Sequence, residues 1–297
     1  MNSRQRNTVL SKEVFMQVVD NIAALRALTR EWKRDGNTVG FVPTMGNLHQ
    51  GHLKLVNRAK RHNSKVVVSI FVNPLQFGQN EDLDAYPRTI EEDKQKLIEA
   101  GVDAVFMPSV KDMYPRGLDH QTFVEVPDIS NILCGASRPG HFRGVATVVS
   151  KLFNMVHPDD AFFGEKDFQQ LQVIRLMAQD LSTGIVIHGV ETERDATGLA
   201  LSSRNGYLSA EQKHTAASIY KQMHIAKARI LDGERDFITV ANNLADALEN
   251  VGFKKDYVHV VNAHTLKPAT QEDTHLVILV AAFLGTTRLI DNLQINL

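Results

Sequence analysis

Two histidines three residues apart, His49 and His52, sit where a short apolar run stops and an amphipathic pattern begins. The run Thr38–Val42 reads as a buried strand, and Leu53, Leu55, Val56 and Ala59 recur at helical spacing. Between them lies Pro43-Thr44-Met45-Gly46-Asn47-Leu48, a glycine-containing turn. A helix mouth of this kind favours an anion, through its backbone N–H groups and the positive end of its dipole. Gly46 and Gly51 would let the backbone close on a ligand that a Cβ would hold off. Two imidazoles on neighbouring helical directions add donors for oxygen. The arrangement suits the phosphates of a nucleotide. A zinc site fits poorly, because a metalloprotease helix reads His-Glu-x-x-His and no cysteine or carboxylate cluster nearby completes a ligand set.

The elements that must position these groups alternate along the chain. Strand patterns fall at Thr38–Val42, Lys65–Phe71, Ala104–Met107, Gln121–Val126, Ala161–Phe163 and Gly184–Val190. Helical patterns fall at Val18–Arg34, Leu53–Arg61, Thr89–Ala100, Val145–Met155 and Phe168–Gln179. Interleaving of this kind predicts an α/β fold, a Rossmann-like and mostly parallel sheet covered on both faces. After about residue 190 the order changes to helical patterns at Ala210–Leu231 and Asp236–Val251, then strand patterns at Tyr257–Asn262, Leu276–Leu284 and Thr287–Asp291. We therefore expect a nucleotide-binding domain over 1–190 and a smaller α+β lid domain over 191–297.

Two further clusters fall at functional places in that plan. Gly164-Glu165-Lys166-Asp167 follows the strand at Ala161–Phe163, at the strand's carboxyl end, where open α/β sheets bind ligands. Lys166 would reach phosphate oxygens, and Asp167 could bond a ribose or hold the lysine; the plain alternative is a solvated surface pair. Ser202-Ser203-Arg204, on a turn after Gly198, offers two hydroxyls and a guanidinium that can close over phosphates. Gln76 and Gln170 are neutral amides suited to a diol or a carboxylate, or else ordinary surface amides.

These strings carry a resemblance. His49-Gln50-Gly51-His52 is similar to the His-x-Gly-His signature of the adenylate-forming nucleotidyltransferases. The longer stretch from Val42 to His52 resembles the pantoate–β-alanine ligase (pantothenate synthetase) family, as do Ser69 to Phe77, Tyr86-Pro87-Arg88-Thr89, Gly135 to Val145, Phe163 to Gln170 and Gly198 to Asn205. The resemblance implies condensation of pantoate with β-alanine to pantothenate, AMP and pyrophosphate through a pantoyl-adenylate. It assigns ATP to Met45, Gly46, Asn47, Leu48, His49, Gln50, Gly51 and His52, with His52 a proton donor, and to Gly164, Glu165, Lys166 and Asp167. It adds Glu193 and Leu201 as further nucleotide contacts, and Ser202, Ser203 and Arg204 as the counterpart of a mobile phosphate loop. Pantoate falls to Gln76 and Gln170, with Asn73, Tyr86 and Arg138 near the acceptor amine or substrate carboxylates. Mg²⁺ should accompany ATP; Asp93 is the carboxylate considered for it, a solvent-facing acidic helix residue being the alternative. The family also suggests a homodimer through the first domain. One departure stands out: the segment Glu191-Thr192-Glu193-Arg194 lacks the proline with which the family usually begins it.

Composition excludes some other classes. The chain has 297 residues, 43% hydrophobic and 23% charged, ordinary values for a soluble globular protein. A net charge of −1 gives no electrostatic footprint for nucleic acid. No apolar run reaches the ~20 residues that span a bilayer, and the stretch around Arg4 and Arg6 lacks a signal-peptide core. The single cysteine, Cys134, fits a small buried apolar residue in a reducing compartment, so cytoplasm is the expected location. The rival reading is an adenylyltransferase acting on a nucleotide or phosphopantetheine, which need not carry Asn73-Pro74-Leu75-Gln76-Phe77 or Gln170.

Overall fold

The computed structural model describes residues 16–78, 81 and 83–297, so the stretch containing Arg4 and Arg6 lies outside the described residues. The first unit is a six-stranded sheet whose registered strand pairs are all parallel. Its strands are β1 (Gln17–Val19), β2 (Val39–Thr44), β3 (Lys65–Ile70), β4 (Ala104–Phe106), β5 (Asp160–Gly164) and β6 (Val186–Val190), in the order β1-β4-β3-β2-β5-β6. Successive strand residues face opposite sides and both sides are covered. Phe41, Val67, Phe106 and Phe163 pack toward α1 (Ile22–Arg34), α6 (His141–Val156) and α7 (Phe168–Asp180). Val42, Val66, Val68 and Phe162 pack toward α2 (Gln50–His62) and α3 (Ile90–Glu99). Two short helices, α4 (Val110–Met113) and α5 (Cys134–Ser137), lie in the connection between β4 and α6.

The crevice follows from this strand order. The chain runs from β2 out through β3 to β4, then returns to place β5 on the other side of β2. β2 and β5 pair only at Gly40 with Asp160 and Phe41 with Ala161, whereas β2 stays paired with β3 as far as Thr44 and Ile70. Pro43 has no N–H to extend a ladder toward β5, so the two strands part above Phe41. Ligands of open α/β sheets bind at such a reversal, outside the carboxyl ends of the strands.

After β6 come α8 (Ala210–Ala216), α9 (Ser218–Leu231) and α10 (Phe237–Glu249), then an antiparallel sheet of β7 (Phe253–Asn262), β8 (His275–Leu284) and β9 (Thr287–Asn296). One face of this sheet meets α9 and α10 through Val260, Ile278, Val280 and Leu289. Its other face, through Val261, Val277 and Leu279, packs into the same core as Phe41 and Phe163. This is the expected fold class.

Three expected elements differ. The pattern at Val18–Arg34 hides β1, a three-residue edge strand, before the helix begins behind its Asn21 cap. Gln121–Val126 is irregular: Val124 N–H donates to Thr147 Oγ1 (3.0 Å) in place of a neighbouring strand. The pattern at Ala210–Leu231 is two helices broken at Ala217.

Candidate active site

The loop after β2 is held from behind by α3. Asp93 is fully buried, and its two oxygens accept the N–H groups of Asn47 (2.8 Å) and Leu48 (2.7 Å). Lys96, three residues on and on the same helical face, donates to the Leu48 carbonyl (2.8 Å). Asp93 is thus neither a metal contact nor a solvent-facing residue. It is a buried carboxylate spent on shaping the turn, and that expectation is corrected. The turn needs shaping, because Gly46 (φ 83°) and Asn47 (φ 49°) are consecutive left-handed residues.

His49 caps α2, which begins three residues earlier than its apolar pattern suggests. Gly51 N–H donates to His49 Nδ1 and His49 N–H donates to His52 Nδ1, both at 3.2 Å. A ring nitrogen that accepts carries no proton, so each neutral ring holds its hydrogen on Nε2. Burial, then the Lys166 charge, lowers the pKa of His49 to about 4. Burial, then His49 and Lys166, lowers that of His52 to about 3. At neutral pH both are uncharged Nε2–H donors, 4.1 Å apart between ring centres. Most amides of the helix mouth are taken up within the protein: those of Gly46, Asn47, Leu48, His49 and Gly51 are paired with side chains. Gly51 makes room for the His49 ring, since a Cβ there would stand 2.9 Å from His49 Cε1.

The loop after β3 presents Gln76 on the 3-10 turn Pro74–Gln76. That turn lies so close to α6 that a Cβ on Gly144 would be 2.2 Å from the Leu75 carbonyl oxygen. Asn73 is spent beneath it. Its amide donates to Gln76 Oε1 (3.1 Å) and the Gly144 carbonyl (3.2 Å), and its oxygen accepts from Tyr114 Oη (2.6 Å) and Leu75 N–H (3.3 Å). The expectation of Asn73 as a substrate ligand is corrected to a support for Gln76. Arg138 is similarly committed: Nε donates to Glu81 Oε1 (2.6 Å) and Nη2 to Glu81 Oε2 and the Gln76 carbonyl. Its charge is thus paired within the protein while the side chain lines both recesses described below.

His141 went unrecognised in the sequence although it lies within a quoted motif. Its Nδ1–H donates to the Gln76 carbonyl (2.8 Å), and its Nε2 accepts from Arg138 Nη1 (3.0 Å). Burial, then the Arg138 charge, lowers its pKa to about 4. The available signal was a histidine opening a helix directly after Gly140, which stands at φ 80°.

Behind β5, Lys166 and Asp167 occupy the 3-10 turn Glu165–Asp167, with Nζ 3.7 Å from Asp167 Oδ1. The adjacent glutamines on α7 divide. Gln169 is buried against the carbonyls of Ile129 and Ile132, both at 2.8 Å, whereas Gln170 faces the cleft. Past β6, Glu193 pairs with Lys54 of α2 (3.0 Å), and its carbonyl accepts from Leu201 N–H (2.8 Å). Ser203 Oγ meets the Asn47 carbonyl at 3.4 Å, bringing the serine loop against the histidine turn.

One recess of about 250 Å³ is lined by His49, His52, Gln76, Tyr86, Gln170, Glu193, Leu201 and Ser203, among others. It shares Lys166, Ser202 and Arg204 with a recess of about 830 Å³ that extends to the C-terminal sheet. Neutral donors, a lysine, hydroxyls and an arginine meet at the switch point of a doubly wound sheet, which defines an α/β enzyme that handles nucleotide phosphates.

The family model described as pantoate-beta-alanine ligase matches residues 17–294. A pantothenate synthetase of Alteromonas mediterranea is 69% identical over 281 residues, covering 95% of this chain and all of the relative. The pantothenate synthetase of Thermus thermophilus superposes with a TM-score of 0.87 at 45% identity, over 94% of this chain and 99% of the other. The pantoate-beta-alanine ligase of Francisella tularensis, crystallised with beta-gamma ATP and beta-alanine, gives 0.79 at 35% identity, over 94% and 97%. The chain belongs to the pantoate–β-alanine ligase family. Its activity is that ligation, drawing on ATP, and not the transfer of AMP to a nucleotide or phosphopantetheine.

Proposed function

We propose that the cleft makes pantothenate in two half-reactions. In the first, the pantoate carboxylate, ionised at neutral pH and needing no base, attacks the α-phosphorus of ATP and pyrophosphate leaves. The requirement is in-line placement and donors for charge developing on phosphoryl oxygens. His49 and His52 supply neutral Nε2–H donors. Since burial holds both rings unprotonated, His52 acts by hydrogen bonding and not as an imidazolium acid. Lys166, Ser202, Ser203 and Arg204 take the phosphates, while Gln76 and Gln170 orient pantoate. In the second half the neutral β-alanine amine attacks the acyl carbon, a C–N bond forms, AMP leaves with the C–O electron pair, and the nitrogen releases one proton to solvent.

Mg²⁺ belongs to this reading as the companion of the triphosphate, which it would neutralise. Asp167, its side chain 46% exposed at the cleft, is the carboxylate that would share the ion, and one or two carboxylates suffice. Residues 191–297 serve as the lid domain. A homodimer through the parallel-sheet unit and a cytoplasmic setting complete the proposal. Among the described residues no helix is long and apolar enough to cross a membrane.

The observation that carries the reading is the meeting of the histidine pair, Gln76, Lys166 and Ser203 around one recess. ATP consumption assayed with pantoate and β-alanine, separately and together, tests it. Pantothenate should form only when all three substrates are present; ATP turnover indifferent to pantoate would overturn it.

A further inference from the structure

Strand β9 reaches the nucleotide cleft from the far side of the molecule. Its residues alternate in direction: Leu289 and Ile295 pack toward α9 and α10, whereas Ile290 packs on the core of the parallel-sheet unit. Asn292 shares the second face. It is 6% exposed, and its amide donates to the carbonyls of both Glu165 (2.8 Å) and Lys166 (2.9 Å). Both N–H bonds of one side chain are therefore spent on consecutive carbonyls of the turn that carries Lys166. Gln294, two residues on, donates to Glu165 Oε2 (3.1 Å). On the opposite face Asp291 takes Arg194 in a two-pronged pair (2.6 and 2.8 Å), and Arg194 also bonds the Gly198 carbonyl (3.1 Å) and lies over the Tyr220 ring. Arg194 bridges to Ala200 at the base of the hairpin that leads into Ser202-Ser203-Arg204.

We infer that Asn292 is a positioning residue for Lys166, and that with Asp291 it makes β9 the strut that fixes the spacing between the lysine turn and the serine loop. The inference rests on the reading of Lys166 as a phosphate contact. A side chain that only filled space would not need to direct two donors at one turn. The segment is a single 3-10 turn, Glu165–Asp167, between β5 and α7, and Asn292 ties two of its three carbonyls to β9. The small C-terminal sheet thus acts on ATP through the turn that carries Lys166.

The test compares Asn292→Leu (similar volume, no donors), Asn292→Asp (same shape, an acceptor facing two carbonyls) and Asn292→Ser (smaller, one donor) in the full-length enzyme, with Lys166→Ala beside them. Melting temperature, kcat, and KM for ATP and for pantoate are measured for each. Loss of two hydrogen bonds should raise KM for ATP on the order of tenfold or more in the Leu and Asp variants, and less in Ser. KM for pantoate should stay within about twofold. If Leu or Asp fails to fold, Ser carries the test through the same selective rise. Wild-type ATP kinetics in a folded Asn292 variant, or equal rises for both substrates, would overturn the inference. Unchanged ATP kinetics in Lys166→Ala would instead overturn the phosphate role of Lys166.

Discussion

Replacing Asp93 with asparagine should unfasten the catalytic turn from a distance. The carboxylate is fully buried and accepts from Asn47 and Leu48 at 2.8 and 2.7 Å. Asparagine keeps the shape but turns one oxygen into an NH₂ group facing a backbone N–H. One hydrogen bond to a charged acceptor disappears, worth about 1.5–3 kcal/mol, and a buried donor is left unpaired at a further cost of about 1–3 kcal/mol. Part of this overlaps, so the net loss should be about 2–4 kcal/mol, out of the roughly 5–15 kcal/mol that stabilises a typical domain. Denaturant unfolding should show a lower midpoint at unchanged slope. Turnover should fall as well, since the turn with Gly46 and Asn47 at positive φ leads directly into His49. A variant with wild-type stability that needs more Mg²⁺ would refute this reasoning and restore Asp93 as a metal contact.

Two further outcomes follow from the histidines. His49→Ala and His52→Ala should each lower kcat by about two to three orders of magnitude with the fold retained, as for loss of a transition-state donor; near-normal turnover in either folded variant contradicts the assignment. Because His49, His52 and His141 are held at about 4, 3 and 4, the folded state resists protons that the unfolded chain takes up near 6.5. Their contribution to stability is therefore complete above about pH 6.5 and is lost as pH falls from there through about 4, and for His52 about 3. Unfolding midpoints at pH 7.5, 6 and 5 should decline in that order, and a flat series would argue against neutral buried rings.

Most of the parallel sheet was legible because its strands are continuous apolar runs closed by glycine or proline turns, as at Val39–Thr44 and Lys65–Ile70. β1 was not, since three residues at a sheet edge give too short a period, and Val18 and Val19 continue the apolar spacing of the helix beyond. The site was legible by position: His49, Gln76 and Lys166 each follow a strand that ends at the cleft. What one chain of letters could not show was which polar residues are used up. Asp93, Asn73 and Arg138 look like ligands by type, yet each is engaged by neighbours from other elements. His141 and Asn292 have the converse property, because their work is fixed by contacts across 65 and 126 residues of chain.

The central claim is that the cleft activates the pantoate carboxylate before the amine arrives. Exchange of labelled pyrophosphate into ATP, with pantoate present and β-alanine absent, tests this most directly. Adenylation is reversible while pyrophosphate is available, and the amine has no part in that half. Exchange should proceed without β-alanine, and Lys166→Ala should abolish it. Exchange that appears only on adding β-alanine would contradict a stepwise mechanism.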